Sequence, residues 1–470
     1  MQPPSHKTKL VCTVGPASDN PDTLARLLHA GMNVARLNFS HGDFASHAQT
    51  IVRLREAAQR SGHRLAIMAD LPGPKIRIGE LAAESVELAN GDRLTLTTEE
   101  IIGDARRFSV NFDRLPLAVQ PGDKLFLNDG LISLMVLGIA GREVHCEVRA
   151  GGELSSRKGL NLPGIDLGIS AFTERDHECL QFALQHGVDA VSQSFVSTAA
   201  DVTAVRQAAA QLGYQPFLIA KIERARALAN LEEILAAADG LMVARGDLGV
   251  EVPIAEMAIV QKDLMRAANH HGKPIITATQ MLESMIEHRR PTRAEATDVA
   301  NAILDGTDAV MLSAESAMGR YPVEALEMLA EIAAATEPHR PRAAFEARCP
   351  TNPRLADLIA RSIHQAVTNM DPVAVVVPTR SGSMARNVTR FRLPLWITAF
   401  SREFATCQAL QFSYGVHPVQ VEADAADWTP FVRRWMHERG LVQGFAVLAQ
   451  GPSSDYPCGN HRMEFVDLSL

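Results

Sequence analysis

At 470 residues the chain is several times the roughly 150 residues of a typical domain, so about two to four domains are expected, each able to bury a core. A composition of 46% hydrophobic, 5% aromatic and 21% charged residues excludes a disordered or fibrous chain. The formal net charge of -8, with no long basic run, argues against a nucleic-acid partner. The opening MQPPSHKTKL lacks an apolar leader core, and apolar stretches such as VAVVV (373–377) are strand-length. No membrane partner is therefore expected, and a cytoplasmic location is.

In chain order, short β-branched runs alternate with helical patterns: LVCTV (10–14), NVARLNF (33–39), LAIMADL (65–71), DAVSQSF (189–195), FLIAKIE (217–223), GLMVARG (240–246), PIITATQ (274–280) and DAVMLSA (308–314). Eight strands, each followed by an amphipathic helix, predict a (β/α)8 TIM barrel. Residues 74–169 interrupt the series with polar–apolar alternation and Asn-Gly, Pro-Gly and Gly-Gly punctuation. This predicts an inserted all-β lid domain that leaves at the GPK turn and returns through NLPGIDLG (161–168). The barrel is thus expected from 1–73 and 170–340, and a C-terminal α/β regulatory domain over 341–470, after the Pro- and Arg-rich stretch 337–354.

Six cysteines (Cys12, Cys146, Cys179, Cys349, Cys407, Cys458) lie far apart without metal-ligand spacing and read as reduced, mostly buried thiols. In a barrel, polar residues just past the strands line the active site. Here they are Arg36, Asn38, Ser40, His41, Asp70, Lys221, Glu223, Arg245, Asp247, Thr277, Thr279, Gln280, Ser313 and Glu315. The period of two along LIAKIE turns Lys221 and Glu223 to one face. Glu223 and Asp247 suit a hard divalent ion whose shell is completed by water and substrate; a structural ion pair with Lys221 is the other reading. ARGDLGVEVP (244–253) opens a helical turn with the amides of Gly246 and Asp247 expected free for anionic oxygens, although such turns also simply reverse the chain. Arg36 and Arg77 offer planar cationic donors for phosphate. His41 is assigned to loop orientation rather than catalysis, and Asn38, Ser40 and Asp70 either bind a monovalent cation or cap loops.

Together CTVGPAS (12–18), ARLNFSHG (35–42), GPKIRIG (73–79), NDGLISL (128–134), RKGLNLPG (157–164), KIE (221–223), MVARGDLGVE (242–251), TATQMLESM (277–285) and VMLSAESAMGRYP (310–322) resemble the pyruvate kinase family from about Lys7 to the C-terminus. The resemblance implies an ATP:pyruvate 2-O-phosphotransferase acting in the last step of glycolysis on phosphoenolpyruvate and ADP, giving pyruvate and ATP. It implies Mg2+ (or Mn2+) on Glu223 and Asp247, and Lys221 and Arg36 on the phosphoryl group in flight. It further implies Gly246, Asp247 and Thr279 holding phosphoenolpyruvate, Thr279 in the proton relay, and Arg77 on the ADP phosphates. A mobile lid carrying Arg77 would close to exclude water.

The family has two sequence types at the lid entry, and GPKIR, with Lys75 in place of an acidic residue, is similar to the K+-independent one. The Lys75 ammonium is expected to replace K+ near Asn38, Ser40, Asp70 and Leu71. At FVSTAAD (195–201) Ser197 and Thr198 stand where many relatives carry a basic nucleotide contact. PTRSGSMARNV (378–388) resembles the family's regulatory loop and implies an effector's phosphate on Thr379, Ser381, Gly382 and Ser383, with a capped helix start as the plain alternative. A homotetramer is implied by the resemblance alone. A metal-dependent pyruvate aldolase, which has no use for a lid or ADP, and a silent binding homologue, which would not bind Mg2+, are the competing readings.

Overall fold

The computed structural model describes residues 4–340, 353–451 and 461–470. The expectations for Cys349, Cys458 and most of the linker after residue 340 lie outside the described residues.

Eight parallel strands close a barrel: Lys9–Thr13, Met32–Asn38, Ala66–Leu71, Ala190–Gln193, Phe217–Ile222, Gly240–Ala244, Ile275–Ala278 and Ala309–Leu312. Each pairs with its neighbours in sequence, and the eighth pairs with the first. Alternation decides what goes where. Val11, Val34, Met68, Ile219, Met242, Ile276 and Met311 point inward and fill the barrel axis. Leu10, Cys12, Ile67, Leu218, Ala220, Leu241 and Leu312 point outward to the helical ring. Branched and flexible side chains thus make a packed barrel core with the chemistry left at one rim.

Between the third and fourth barrel strands the chain builds a six-stranded sheet ordered Leu160–Asn161, Lys124–Leu127, Ile132–Ala140, Glu143–Ala150, Arg93–Thr97 and Arg107–Ser109. A two-stranded ribbon of Ser85–Leu88 and Gly152–Ser155 accompanies it. This insert has its own core, including Leu94, Phe108, Leu134, Val144 and Leu160. The departure turn is pinned from the barrel: Gly73 donates its amide to Asp176 Oδ1 at 2.8 Å, and Asp176 also caps the helix Glu174–Gln185. Gly73 sits at φ +65°, and a Cβ there would lie 2.8 Å from the Phe195 ring, so only glycine fits.

The C-terminal part holds a five-stranded sheet ordered Val416–Gln420, Ile397–Ser401, Ala374–Pro378, Phe445–Gln450 and Arg462–Asp467, the last strand antiparallel. It closes the bottom of the barrel. Phe412 joins the inner barrel core and stacks on Phe217 at 5.3 Å between centroids. Beside it, buried Arg392 pairs with Asp308 at 2.6 Å, Tyr414 donates its amide to Asp308 Oδ1 at 2.9 Å, and the Lys9 ammonium donates to the Val416 carbonyl at 2.7 Å. With both ends of Asp308 satisfied, the junction carries charge without an orphaned carboxylate. Cys12, Cys146, Cys179 and Cys407 are buried free thiols, as expected.

Candidate active site

Strand register sets the first layer of the barrel mouth. Arg36 lies level with Thr13, while Asp70 lies level with Asn38 on one side and Ser192 on the other. Asp70 is 1% exposed and its two oxygens divide the work. Oδ1 accepts from the Ser192 hydroxyl at 2.6 Å, and Oδ2 accepts from Arg36 Nε at 2.8 Å, Arg36 Nη2 at 2.5 Å and Lys221 Nζ at 3.3 Å. Arg36 Nη1 is braced by Thr13 Oγ1 at 2.9 Å. Burial pushes the Asp70 carboxyl up, but Lys221, Arg36 and Ser192 more than offset it and hold it below the usual carboxylate range.

The expected pairing of Lys221 with Glu223 on one face is present: their charged ends lie 2.9 Å apart, and Lys221 also donates to Ser194 Oγ at 2.7 Å. Ser194 passes its own proton to the Leu71 carbonyl at 2.7 Å, so that carbonyl is committed. Burial alone would lower the Lys221 ammonium; Asp70 and Glu223 raise it above its ordinary value, so it stays charged at neutral pH. Glu223 is pushed up, by burial first and by the charge of Asp247 as well, against the opposing pull of Lys221. Its Oε2 accepts the Phe195 amide at 2.7 Å from a backbone at φ +58°.

Three expectations are corrected. The Gly246 amide is not free: it donates to Thr279 Oγ1 at 2.8 Å, because the helix Arg245–Glu251 begins with that glycine against the seventh strand's end. The oxygens of Asn38, Ser40, Asp70 and Leu71 do not form an open cluster. Asn38 Oδ1 accepts the Ser40 amide at 3.2 Å, exposed Ser40 turns outward, and the other two are spent as described. Lys75, finally, places its ammonium 3.6 Å from Asp247 Oδ1, and no ion pair with Asp70 lies within the 4 Å limit among the described residues. His41 lies close enough to Arg77, Arg36 and Lys75 for all three to lower its imidazole after burial has done so.

Thr279 is strained. A β-branched residue at φ +66°, followed by Gln280 at φ +53°, is a true backbone outlier. It is held there by Arg245, which donates to the Thr279 carbonyl at 2.8 Å and the Gln280 carbonyl at 3.3 Å while pairing with Asp298 at 2.5 Å. The Thr279 hydroxyl donates to the Ala278 carbonyl at 2.6 Å. Sequence reading placed Arg245 at the rim without this task and passed over Ser192 and Ser194, although the polar interruption VSQS in an otherwise apolar strand was the available signal.

Arg77 belongs to the insert: its amide donates to Asn111 Oδ1 at 2.7 Å and its Nη1 to the Arg157 carbonyl at 3.0 Å. Between the insert's return segment and the barrel runs a cleft lined by Ser197, Thr198, Arg224, Arg226, Asp166 and Glu251. Arg226 pairs with Asp166 across it. The Ser/Gly turn is elsewhere, past the strand Ala374–Pro378: Thr379 Oγ1 accepts the Gly382 amide at 2.9 Å, and Arg386 donates to the Ser381 carbonyl at 2.6 Å.

Glu223 and Asp247 pass a chemical test for a hard cation. Both are carboxylates, each raises the cost of the other's charge, and one of them is buried. Among the described residues no third His, Cys, Asp or Glu joins them, which leaves coordination positions for water and substrate oxygens, as Mg2+ prefers. Also among the described residues, no helix is long and apolar enough to cross a membrane.

Comparison with known proteins agrees with this arrangement. Residues 5–326 match the family "Pyruvate kinase, barrel domain" and residues 357–451 match "Pyruvate kinase, alpha/beta domain". The chain is 48% identical to the pyruvate kinase of Thermococcus litoralis over 424 residues, covering 89% of each chain. It is 44% identical to that of Geobacillus stearothermophilus over 418 residues, covering 87% of this chain and 71% of that one. The crystal structure of a pyruvate kinase from Cryptosporidium parvum superposes with a TM-score of 0.92 at 34% identity, covering 99% of this chain and 96% of that one. Two family matches spanning barrel and C-terminal sheet, and relatives this similar over most of their length, establish that the chain belongs to the pyruvate kinase family.

Proposed function

We propose that the chain transfers the phosphoryl group of phosphoenolpyruvate to ADP, giving enolpyruvate and then pyruvate, with ATP as the second product. The observation that carries this reading is the buried Arg36–Asp70–Lys221–Glu223 network at the barrel mouth. It fixes two permanent cations beside two carboxylates in a water-poor site, which is what phosphoryl transfer requires in place of a protein nucleophile. Lys221, held charged, and Arg36, braced on Thr13, attract the equatorial oxygens as the bond from phosphorus to the enol oxygen breaks and the bond to the ADP β-phosphate oxygen forms. Mg2+ on Glu223 and Asp247, with Mn2+ as a substitute, would neutralise phosphoryl and enolate charge when bound.

Phosphoenolpyruvate is assigned to Gly246, Asp247 and Thr279, so the Gly246 amide must trade the Thr279 hydroxyl for a substrate oxygen. Thr279 then delivers a proton toward the methylene carbon, and this favourable tautomerisation draws the transfer forward. Arg77 approaches the ADP phosphates from the insert, and Arg224 and Arg226 supply charge in the cleft where Ser197 and Thr198 do not. The insert acts as a lid that excludes water. The Lys75 ammonium takes the role of K+, so potassium is not required. A phosphorylated effector on Thr379, Ser381, Gly382 and Ser383, assembly as a homotetramer and a cytoplasmic site of action complete the assignment, and are supported by the family alone.

Pyruvate release from phosphoenolpyruvate, followed with and without ADP and Mg2+ in potassium-free buffer, tests the assignment. ADP- and Mg2+-dependent turnover is expected. Pyruvate formation indifferent to ADP would overturn it.

A further inference from the structure

The two carboxylates that suit a divalent cation differ in what already holds them. Glu223 is 2% exposed and locked by the Lys221 ammonium at 2.9 Å and the Phe195 amide at 2.7 Å. Asp247 has about a quarter of its side chain accessible, and its ionic partner is Lys75 at 3.6 Å. An incoming cation that uses Asp247 meets that ammonium first.

Lys75 is not part of the barrel wall. Its carbonyl accepts from Asn111 Nδ2 at 3.4 Å, the next residue's carbonyl accepts the Leu160 amide at 2.9 Å, and its stem lies against Gly159. It therefore travels with the insert, while the residue two positions before it, Gly73, is fastened to Asp176 of the barrel. Lys75 and Glu223 also line one small pocket together with Gly159 and Leu160, which puts the ammonium on the side from which the carboxylates are reached.

We propose that Lys75 is a positioning residue that competes with the divalent cation for Asp247, so that metal binding releases the lid's first turn from the barrel. The inference rests on the assignment of Glu223 and Asp247 as the metal's ligands. In the metal-free protein the ion pair holds the entry turn against the helix Arg245–Glu251. A divalent ion on Asp247 repels the ammonium and frees it to move toward the His41 loop, whose imidazole already feels its charge. Metal affinity and lid position are two ends of one equilibrium, linked through a single partly exposed ion pair.

The test uses the full-length protein without substrates. Mn2+ binding is titrated by electron paramagnetic resonance at low ionic strength in the wild type and in Lys75→Met, Lys75→Arg and Asp247→Asn, with circular dichroism as the check on folding. Lys75→Met is expected to bind Mn2+ roughly three- to tenfold more tightly, since about 1 kcal/mol of competing ion pair is removed, and Lys75→Arg to stay near the wild type. Amide exchange at residues 74–79 should quicken in the wild type on adding Mn2+ and should already be fast in metal-free Lys75→Met. Affinity in Lys75→Met that is equal to or weaker than wild type overturns the competition and leaves the metal ligands standing. Wild type that binds no better than Asp247→Asn removes the ligand assignment, and the competition with it.

Discussion

Arg36 Nη2 and Asp70 Oδ2 lie 2.5 Å apart in a pair whose members are 9% and 1% exposed, and Lys221 shares the same carboxylate oxygen at 3.3 Å. One anion therefore separates two buried cations. Replacing Asp70 by Asn keeps the shape and removes that charge, leaving Arg36 and Lys221 to repel each other out of water. We expect a loss of about 3–5 kcal/mol in urea unfolding and a fall in turnover of at least about a hundredfold. Ser192→Ala, which deletes only the 2.6 Å hydrogen bond to the other oxygen, should cost about 1.5–3 kcal/mol. An Asp70→Asn protein as stable as the wild type would show that the cations are hydrated rather than paired.

Thr279 owes its left-handed backbone to Arg245, which grips two successive carbonyls. Such strain costs on the order of 1–3 kcal/mol and persists only while its surroundings insist on it. Arg245→Met should let the turn relax and misaim the hydroxyl. The expected result is a roughly ten- to hundredfold slower exchange of pyruvate methyl protons, with Thr279→Ala slower still and phosphoenolpyruvate binding changed less than either. If Arg245→Met exchanges protons at the wild-type rate, the strained turn has no part in proton delivery.

The barrel was legible because its strands obey two periodicities at once: Ile219 and Lys221 share the inward face while Leu218 and Ala220 share the outward one. The insert was legible because Asn90-Gly91 and Pro121-Gly122 break an alternating pattern that no helix could use. At the site, residue types revealed which groups gather at the rim but not how they share partners. Whether the Gly246 amide is free or spent on Thr279, and whether Lys75 meets Asp70 or Asp247, depends on side chains separated by tens or hundreds of positions. Ser194 was unreadable for the same reason: its task of joining Lys221 to the Leu71 carbonyl exists only once three strands lie side by side.

Lys9 is buried where barrel and C-terminal sheet meet, 2.7 Å from the Val416 carbonyl and 5.1 Å from the centre of the Trp396 ring. Burial lowers its ammonium to about 7, with Asp308 resisting. His417, on the adjacent strand, is itself lowered to about 4, by burial first and then by Lys9. A depressed lysine means that between about pH 7 and the unfolded value near 10.4 the unfolded chain holds a proton the folded one has shed. Stability from this group therefore rises with pH across that window. The urea midpoint of the wild type relative to Lys9→Met should move in the wild type's favour as pH is raised from 7 toward 10. A difference that stays flat would mean that Lys9 remains charged, held by the carbonyl and the ring.

Lys75 gives the last prediction. An acidic residue at this turn accompanies potassium dependence in the family, and here an ammonium stands in the same place, within reach of Asp247 and close enough to lower His41. A fixed cation on the chain supplies the charge that a diffusing one supplies elsewhere, without the entropy of capturing it. Turnover in potassium-free buffer should lie within about twofold of that with added KCl, at matched ionic strength so that general screening is not mistaken for a specific effect. Lys75→Glu should lose activity in potassium-free buffer by at least about tenfold, since it exchanges attraction for repulsion beside Asp247, and should recover part of it with KCl but not with tetramethylammonium chloride, which is too large for a coordinated site. A wild type stimulated many-fold by KCl would assign the charge to a bound ion and leave Lys75 only its contact with Asp247.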